Sequence, residues 1–215
     1  MKRIFITGIS TEVGKTITSS IVVEALKADY WKPIQAGDLN HTDSHKIGEL
    51  ISNTESVIHP TTYELKSPMS PHAAAEIDGI EIDINKILEP HTANNLIIEG
   101  AGGLLVPLNN KDTILDLIKP TYHVIVVSRH YLGSINHTLL TLEKLQDKGH
   151  DVSVIFSGDP HPTTESIITK KTEINVLGRI SEEKRFNKRV ILKYATEFKP
   201  KLIDIIKKDQ LNTGT

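Results

Sequence analysis

Apolar positions along the chain follow two alternating patterns. Short unbroken runs mark one: Ile4-Phe5-Ile6 within Lys2–Thr7, Leu96-Ile97-Ile98 within Asn95–Glu99, and Val124-Ile125-Val126-Val127 within His123–Ser128. Such runs suit strands buried on both faces. Tyr30–Ile34, Asp151–Ser157 and Asn175–Arg179 read as further strands. Apolar residues at helical spacing mark the other pattern, first at Ile17, Ile21, Val22, Ala25 and Leu26 within Thr16–Ala28. The same reading predicts helices at Asp43–Ser52, Pro71–Ile77, Asp83–Glu89, Ile114–Lys119, Ser134–Lys148 and Lys188–Lys208. Strand followed by helix, repeated, predicts an α/β fold. Its mostly parallel sheet is flanked by helices on both faces and linked by right-handed crossovers. Ligands in such a fold bind outside the carboxyl ends of the strands. No repeat, low-complexity segment or linker divides residues 1–215, so one domain is expected, with fraying at Leu211–Thr215.

Composition narrows the picture by exclusion. At 215 residues the chain can bury a full core. A net charge of −2 leaves no electrostatic footprint for nucleic acid or an anionic membrane. The absence of cysteine excludes disulfides, thiolate catalysis and zinc-thiolate sites. No apolar run approaches the roughly 20 residues of a membrane span. The apolar stretch in MKRIFIT is too short for a secretion signal, so a cytoplasmic location is expected.

The first strand leads into Gly8, and Gly14-Lys15-Thr16 opens the helix that follows. Strand, glycine-bounded loop and helix form a phosphate cradle, in which loop and helix-end N–H groups face anionic oxygens. Lys15 is placed for the β- and γ-phosphates and the Thr16 hydroxyl for Mg²⁺. Five residues separate the glycines where the usual loop has four, so this is a lengthened variant. Thr11 and Glu12 are polar positions beside the phosphates.

Three more strand ends carry chemistry. Lys32 ends the second strand, and Pro33 keeps it extended. It is expected to share one anionic crevice with Lys15. Glu99, before Gly100-Ala101-Gly102-Gly103, is placed for a magnesium contact, and the glycines admit a substrate close to bare backbone. After Ser128 the chain reaches Ser134-Ile135-Asn136, where Ser134 reads as an N-cap and the helix end as a carboxylate site. His41, Asp43 and His45 alternate without a recognised transition-metal geometry. Asp43 alone is expected on the magnesium side, with both histidines on the loop or helix surface. Glu182–Arg189 reads as a solvated loop and helix start.

Together, Gly8-Ile9-Ser10-Thr11-Glu12-Val13-Gly14-Lys15-Thr16, Lys32-Pro33-Ile34-Gln35-Ala36-Gly37, Ser70-Pro71-His72, Glu99-Gly100-Ala101-Gly102-Gly103 and Leu132-Gly133-Ser134-Ile135-Asn136-His137 resemble dethiobiotin synthetase. The resemblance runs from residue 1 to about residue 180, in the family's order and spacing. It implies a P-loop NTPase-type fold and ATP-dependent ring closure of 7,8-diaminopelargonate with CO₂, giving dethiobiotin, ADP and phosphate. A carbamate and a carbamic-phosphoric anhydride lie on that path. It also implies Mg²⁺ as cofactor and a homodimer with the substrate site at the subunit interface. By matching position, Lys15, Lys32 and Thr11 are the catalytic residues. Glu12, Val13, Gly14, Lys15, Thr16, Ile17, Glu99 and Gly102 meet the nucleotide, with Ser157 at the base. Thr16, Asp43 and Glu99 surround Mg²⁺. Lys32, Gly102 and, from the partner subunit, the positions Ser134, Ile135 and Asn136 meet the diamine.

Two positions depart from the family's pattern. Ala36 stands where a hydroxyl residue is frequent, and Ser157 falls in the region of an adenine-reading Asn. Two other classes of protein share parts of this pattern. Switch ATPases of the partitioning or septum-positioning kind carry an extra lysine early in the loop, where this chain has Ile9, Ser10 and Thr11. Lys199–Lys208 is amphipathic, as their membrane helix is, but is expected to pack on the sheet. An amidoligase related to cobyrinate synthesis needs a glutamine-hydrolysing domain with a nucleophilic cysteine, which this chain lacks.

Overall fold

The computed structural model describes residues 1–212. Six parallel strands form the central sheet: β1 (Arg3–Gly8), β2 (Asp29–Trp31), β5 (Leu96–Gly103), β6 (His123–Arg129), β7 (Asp151–Ser157) and β8 (Asn175–Ile180). Their order is β2-β5-β1-β6-β7-β8, with β1 inside. The chain moves from β1 to one side, then returns past β1 to the other. Right-handed crossovers in opposite directions put their helices on opposite faces. Thus α1 (Lys15–Leu26) packs with α6 (Lys188–Asn212), and α4 (Ser134–Asp147) packs with α5 (Pro162–Thr172). The order reverses at β1, so the crevice above its carboxyl end is the favoured ligand position. The core is built from the apolar runs, with Ile4, Phe5, Ile6, Ile97, Val124–Val127 and Ile155 fully buried.

Four of the strands fall within a residue or two of their expected bounds, but β5 runs on through the glycines to Gly103, four residues past the expected end at Glu99. Tyr30–Ile34 is not one strand. Pro33 has no N–H to give a ladder, and the chain leaves the main sheet at Lys32. β3 (Ile34–Ala36) instead pairs in parallel with β4 (Tyr63–Leu65), a two-stranded sheet that the sequence reading missed. α2 (Asp43–Leu50) and α3 (Pro71–Asp78) form as expected.

Two expected helices shrink to 3₁₀ turns. Asp83–Glu89 keeps only Ile84–Lys86, because the Asp83 side chain accepts from the Asn85 N–H and closes a local turn. Ile114–Lys119 keeps Ile114–Leu117, with Pro120 close behind. α5 was missed. Its four threonines blur the apolar period, although Pro162 at its start and Lys170 and Lys171 in its last turn signal a helix. α6 carries the expected amphipathic stretch. Leu202 and Ile205 are buried with Phe198, which supports packing on the body of the protein. Of the segment expected to fray, Leu211 and Asn212 belong to α6, and residues 213–215 lie outside the described residues.

Candidate active site

The phosphate loop is shaped by close packing at its two glycines. A Cβ on Gly8 would lie 2.5 Å from the Val13 side chain and 2.8 Å from the Ser10 carbonyl oxygen. Gly14 has φ +99°, a region that other residues rarely adopt, and a Cβ there would meet Ser157 Oγ at 3.0 Å. Glu12 also takes a positive φ of 54°, which turns its exposed side chain outward over the loop. α1 begins at Lys15 with no side-chain cap, so its first N–H groups face the crevice.

Above the carboxyl ends of β1 and β5 lies a cavity of about 820 Å³. Thr11, Glu12, Gly14, Lys15, Thr16, Ile17, Lys32, Asp43, Glu99 and Gly102 line it, so ten of the fifteen residues assigned from sequence meet in one place. Val13 is buried in the core beneath the loop. Ser157 lines an adjoining pocket of about 100 Å³ with Gly14, Ile17, Arg129, Glu182 and Phe186.

Ser134, Ile135 and Asn136 are not in this cavity. They open α4, where the N-cap is Gly133 in a left-handed conformation. Ser134 is therefore the first helical residue and not the expected cap, and its buried hydroxyl has no hydrogen-bond partner. Leu132 beside it is fully exposed and Ile135 partly so.

Charge is concentrated and mutually held. Lys32 Nζ lies 2.7 Å from Asp43 Oδ2 and 3.1 Å from Glu99 Oε1. Burial favours the neutral amine, but the charges of Glu99 and Asp43 outweigh it and raise the Lys32 pKa above its ordinary value. Burial likewise works against charge on Asp43, yet Lys32 and Lys46 hold its carboxyl at about 2. Lys15 donates to the Ser10 carbonyl at 3.0 Å. Burial pushes its ammonium down to about 8, with the pull of Glu99 opposing. The Thr16 hydroxyl donates to Glu99 Oε1 at 2.9 Å.

Thr16, Asp43 and Glu99 thus present one hydroxyl and two carboxylates at one end of the cavity. Hard oxygen donors of this number fit Mg²⁺, which keeps several waters and shares substrate phosphates. Among the described residues no group of three or more His, Cys, Asp or Glu could hold a metal by itself. The histidines lie where expected: His45 closes a capping box with Thr42, and His41 pairs with Glu49 on the surface.

Sequence reasoning overlooked several residues. Lys46 flanks Asp43, and Gln35 accepts the Asp43 backbone N–H at 3.3 Å, steadying the start of α2. Ser19 and Tyr30 both donate to Glu99. Ser19 carried a usable signal, since it stands one helical turn after Thr16. Phe186 lines both pockets, and Glu182 pairs with Arg129 across the smaller one. Neither follows from local pattern, because the segment expected to be a solvated loop folds back over the crevice.

Fold and site together define a P-loop nucleotide-binding protein of the α/β class. A model of the family described as "AAA domain" matches residues 2–189. The ATP-dependent dethiobiotin synthetase BioD of Christiangramia forsetii is 58% identical over 95% of this chain and 99% of its own length. That of Cytophaga hutchinsonii is 50% identical over 92% of this chain and 97% of its own. This chain belongs to the ATP-dependent dethiobiotin synthetase family. Solved structures at lower identity share the fold. A plasmid partition protein from Borrelia burgdorferi (TM-score 0.57, 17% identity) covers 96% of this chain and 98% of its own. The MinC:MinD cell division complex of Aquifex aeolicus (TM-score 0.58, 14% identity) covers 95% and 96%.

Proposed function

We propose that the chain forms dethiobiotin from 7,8-diaminopelargonate, CO₂ and ATP, releasing ADP and phosphate. The observation that carries the reading is the single cavity in which Lys15 and Lys32 stand with Thr16, Asp43 and Glu99 around the phosphate loop.

The chemistry follows from charge. One amine of the diamine takes up CO₂ as a carbamate and releases a proton. A carbamate oxygen attacks the γ-phosphorus, and the bond to the ADP oxygen breaks, leaving a carbamic-phosphoric anhydride. The second amine attacks the carbonyl carbon, phosphate departs with the bonding pair, and the ureido ring closes with loss of a proton. Two anions must approach each other in the middle step. The chain meets this with Lys15 and the α1 N-terminus at the phosphates and with Lys32 and Thr11 at the carbamate, so positioning and fixed charge supply most of the rate. Glu12 stands beside this pair, and Gly102 lets the diamine approach the backbone of β5. Thr16, Asp43 and Glu99 would hold Mg²⁺, which would add charge neutralisation at the β- and γ-oxygens.

The reading includes a homodimer, with Ser134, Ile135 and Asn136 of one subunit holding the substrate carboxylate bound at the other. Its support is the uncapped start of α4, beside the exposed Leu132 and Ile135. Residues 1–215 act as one domain in the cytoplasm, with small-molecule substrates and neither nucleic acid nor membrane as partner. Among the described residues no helix is long and apolar enough to cross a membrane.

The test is turnover with 7,8-diaminopelargonate, bicarbonate, ATP and Mg²⁺, read by mass. The expected product is dethiobiotin, with one ADP per ring formed. ATP hydrolysis without a diamine-derived product would overturn the reading.

A further inference from the structure

Glu99 is completely buried near the middle of β5, and four donors meet its two oxygens. Thr16 and Lys32, both of which line the cavity, address Oε1 at 2.9 and 3.1 Å. Ser19 Oγ and Tyr30 OH address Oε2 at 2.7 and 3.0 Å. Both of these are buried at 0% exposure, and neither lines the cavity. The carboxylate is therefore divided: one oxygen faces the chemistry and the other faces the core.

The division is built from two directions. Ser19 follows Thr16 by three positions on α1, so one helix face carries a donor to each oxygen. Tyr30 sits on β2 opposite Ile97, and Ile97 and Glu99, two residues apart, share a face of the sheet. The phenol therefore reaches Oε2 from the neighbouring strand. We propose that Tyr30 and Ser19 are positioning residues, which fix the rotation of the Glu99 carboxylate so that Oε1 alone is presented to the cavity and to Mg²⁺. This rests on the placement of Glu99 in the magnesium shell given above.

The chemistry suits the task. Mg²⁺ demands near-octahedral geometry at short distances, which a single carboxylate oxygen satisfies and a chelating pair strains. Two donors on Oε2 keep it from competing.

The test reads metal binding directly. Mg²⁺ is titrated calorimetrically into enzyme saturated with ADP, so no diamine is needed. Failure of the proposed function would show in the turnover assay, and failure of this proposal in the titration. Tyr30→Phe and Ser19→Ala each delete one oxygen and keep the packing. Each is expected to weaken Mg²⁺ binding about tenfold or more, while Ser19→Thr keeps the hydroxyl and the affinity. Ile168→Val, a core substitution in α5, serves as a control that lowers Tm without changing the titration. A Tyr30→Phe or Ser19→Ala protein with lowered Tm but wild-type Mg²⁺ affinity would overturn the proposal. So would failure of both variants to fold, since the two donors would then serve stability alone.

Discussion

The ammonium of Lys32 lies 2.7 Å from a carboxylate oxygen of Asp43, although one directly follows β2 and the other opens α2. Asp43 is a candidate magnesium ligand and Lys32 the candidate carbamate ligand. The two sites are therefore joined through a shared charge, with Glu99 on the other side of the same ammonium at 3.1 Å. A buried ion pair of this kind costs most when one partner alone is removed.

Lys32→Ala should therefore do two things. Product formation should fall to background, while ATP binding falls far less, since the proposed partner of Lys32 is the carbamate. Tm should also fall, because Asp43 and Glu99 would be left close together without their shared cation. ATP affinity and turnover are to be measured separately. Normal turnover at saturating ATP with lost ATP affinity would assign Lys32 to the nucleotide instead.

Lys15→Ala should abolish turnover by removing charge at the transferring phosphoryl group. The wild-type pH profile carries the same residue. Burial lowers its pKa to about 8, so the ammonium required at the phosphates is lost as pH rises through that value. Because kcat/KM reports groups of the free enzyme, it should decline above about pH 8, while kcat should hold to higher pH once the triphosphate favours the ammonium. A kcat/KM flat to pH 10 would show that Lys15 stays charged in the free enzyme.

Glu99→Gln and Asp43→Asn should each raise the Mg²⁺ concentration needed for half-maximal rate, since a neutral amide is a weaker ligand for a hard cation. Magnesium titrations of both variants check this, and curves that superpose on wild type would take the residue concerned out of the metal shell.

The parts of this site that were legible in the sequence are those fixed by local rules. Gly14-Lys15-Thr16 between a strand and a helix has few other uses, and an acidic residue closing the apolar run Leu96-Ile97-Ile98 points to the cavity, although β5 does not end at Glu99 as expected but runs on to Gly103. The network around Glu99 was not legible, because it depends on β2 lying beside β5. That pairing joins residues almost seventy positions apart (Tyr30 and Glu99) and leaves no periodic trace. The split of Tyr30–Ile34 into two sheets was signalled by Pro33, but where the departing strand would pair was not. Ser134 misled for a physical reason: a serine at a helix start is commonly a cap, yet Gly133 at φ +99° takes the turn and moves Ser134 one place into the helix.

Nucleotide preference should be looser here than in relatives that read adenine with an Asn. Ser157 ends β7 with its hydroxyl against Gly14, in the small pocket shared with Ile17, Phe186 and the Arg129–Glu182 pair. The apolar groups can sandwich any base, since every base offers a flat face. Discrimination requires a paired donor and acceptor, which a single hydroxyl cannot supply. A site built to hydrogen-bond one base rejects others because mismatched polar groups stay unpaired, and losing one such contact reduces the penalty by roughly 1–3 kcal/mol. The carbonyl of Ile180 is already engaged by the Gly158 N–H, and the Ser181 N–H by the Tyr194 hydroxyl, so nearby backbone adds little reading of its own. The measurement compares kcat/KM for ATP, GTP and CTP in wild type and Ser157→Asn. Wild type should accept all three within about a hundredfold, roughly 3 kcal/mol, and the substitution should sharpen the preference for ATP. A wild-type preference above about a thousandfold, roughly 4 kcal/mol, unmoved by Ser157→Asn, would mean that the base is read by groups other than Ser157.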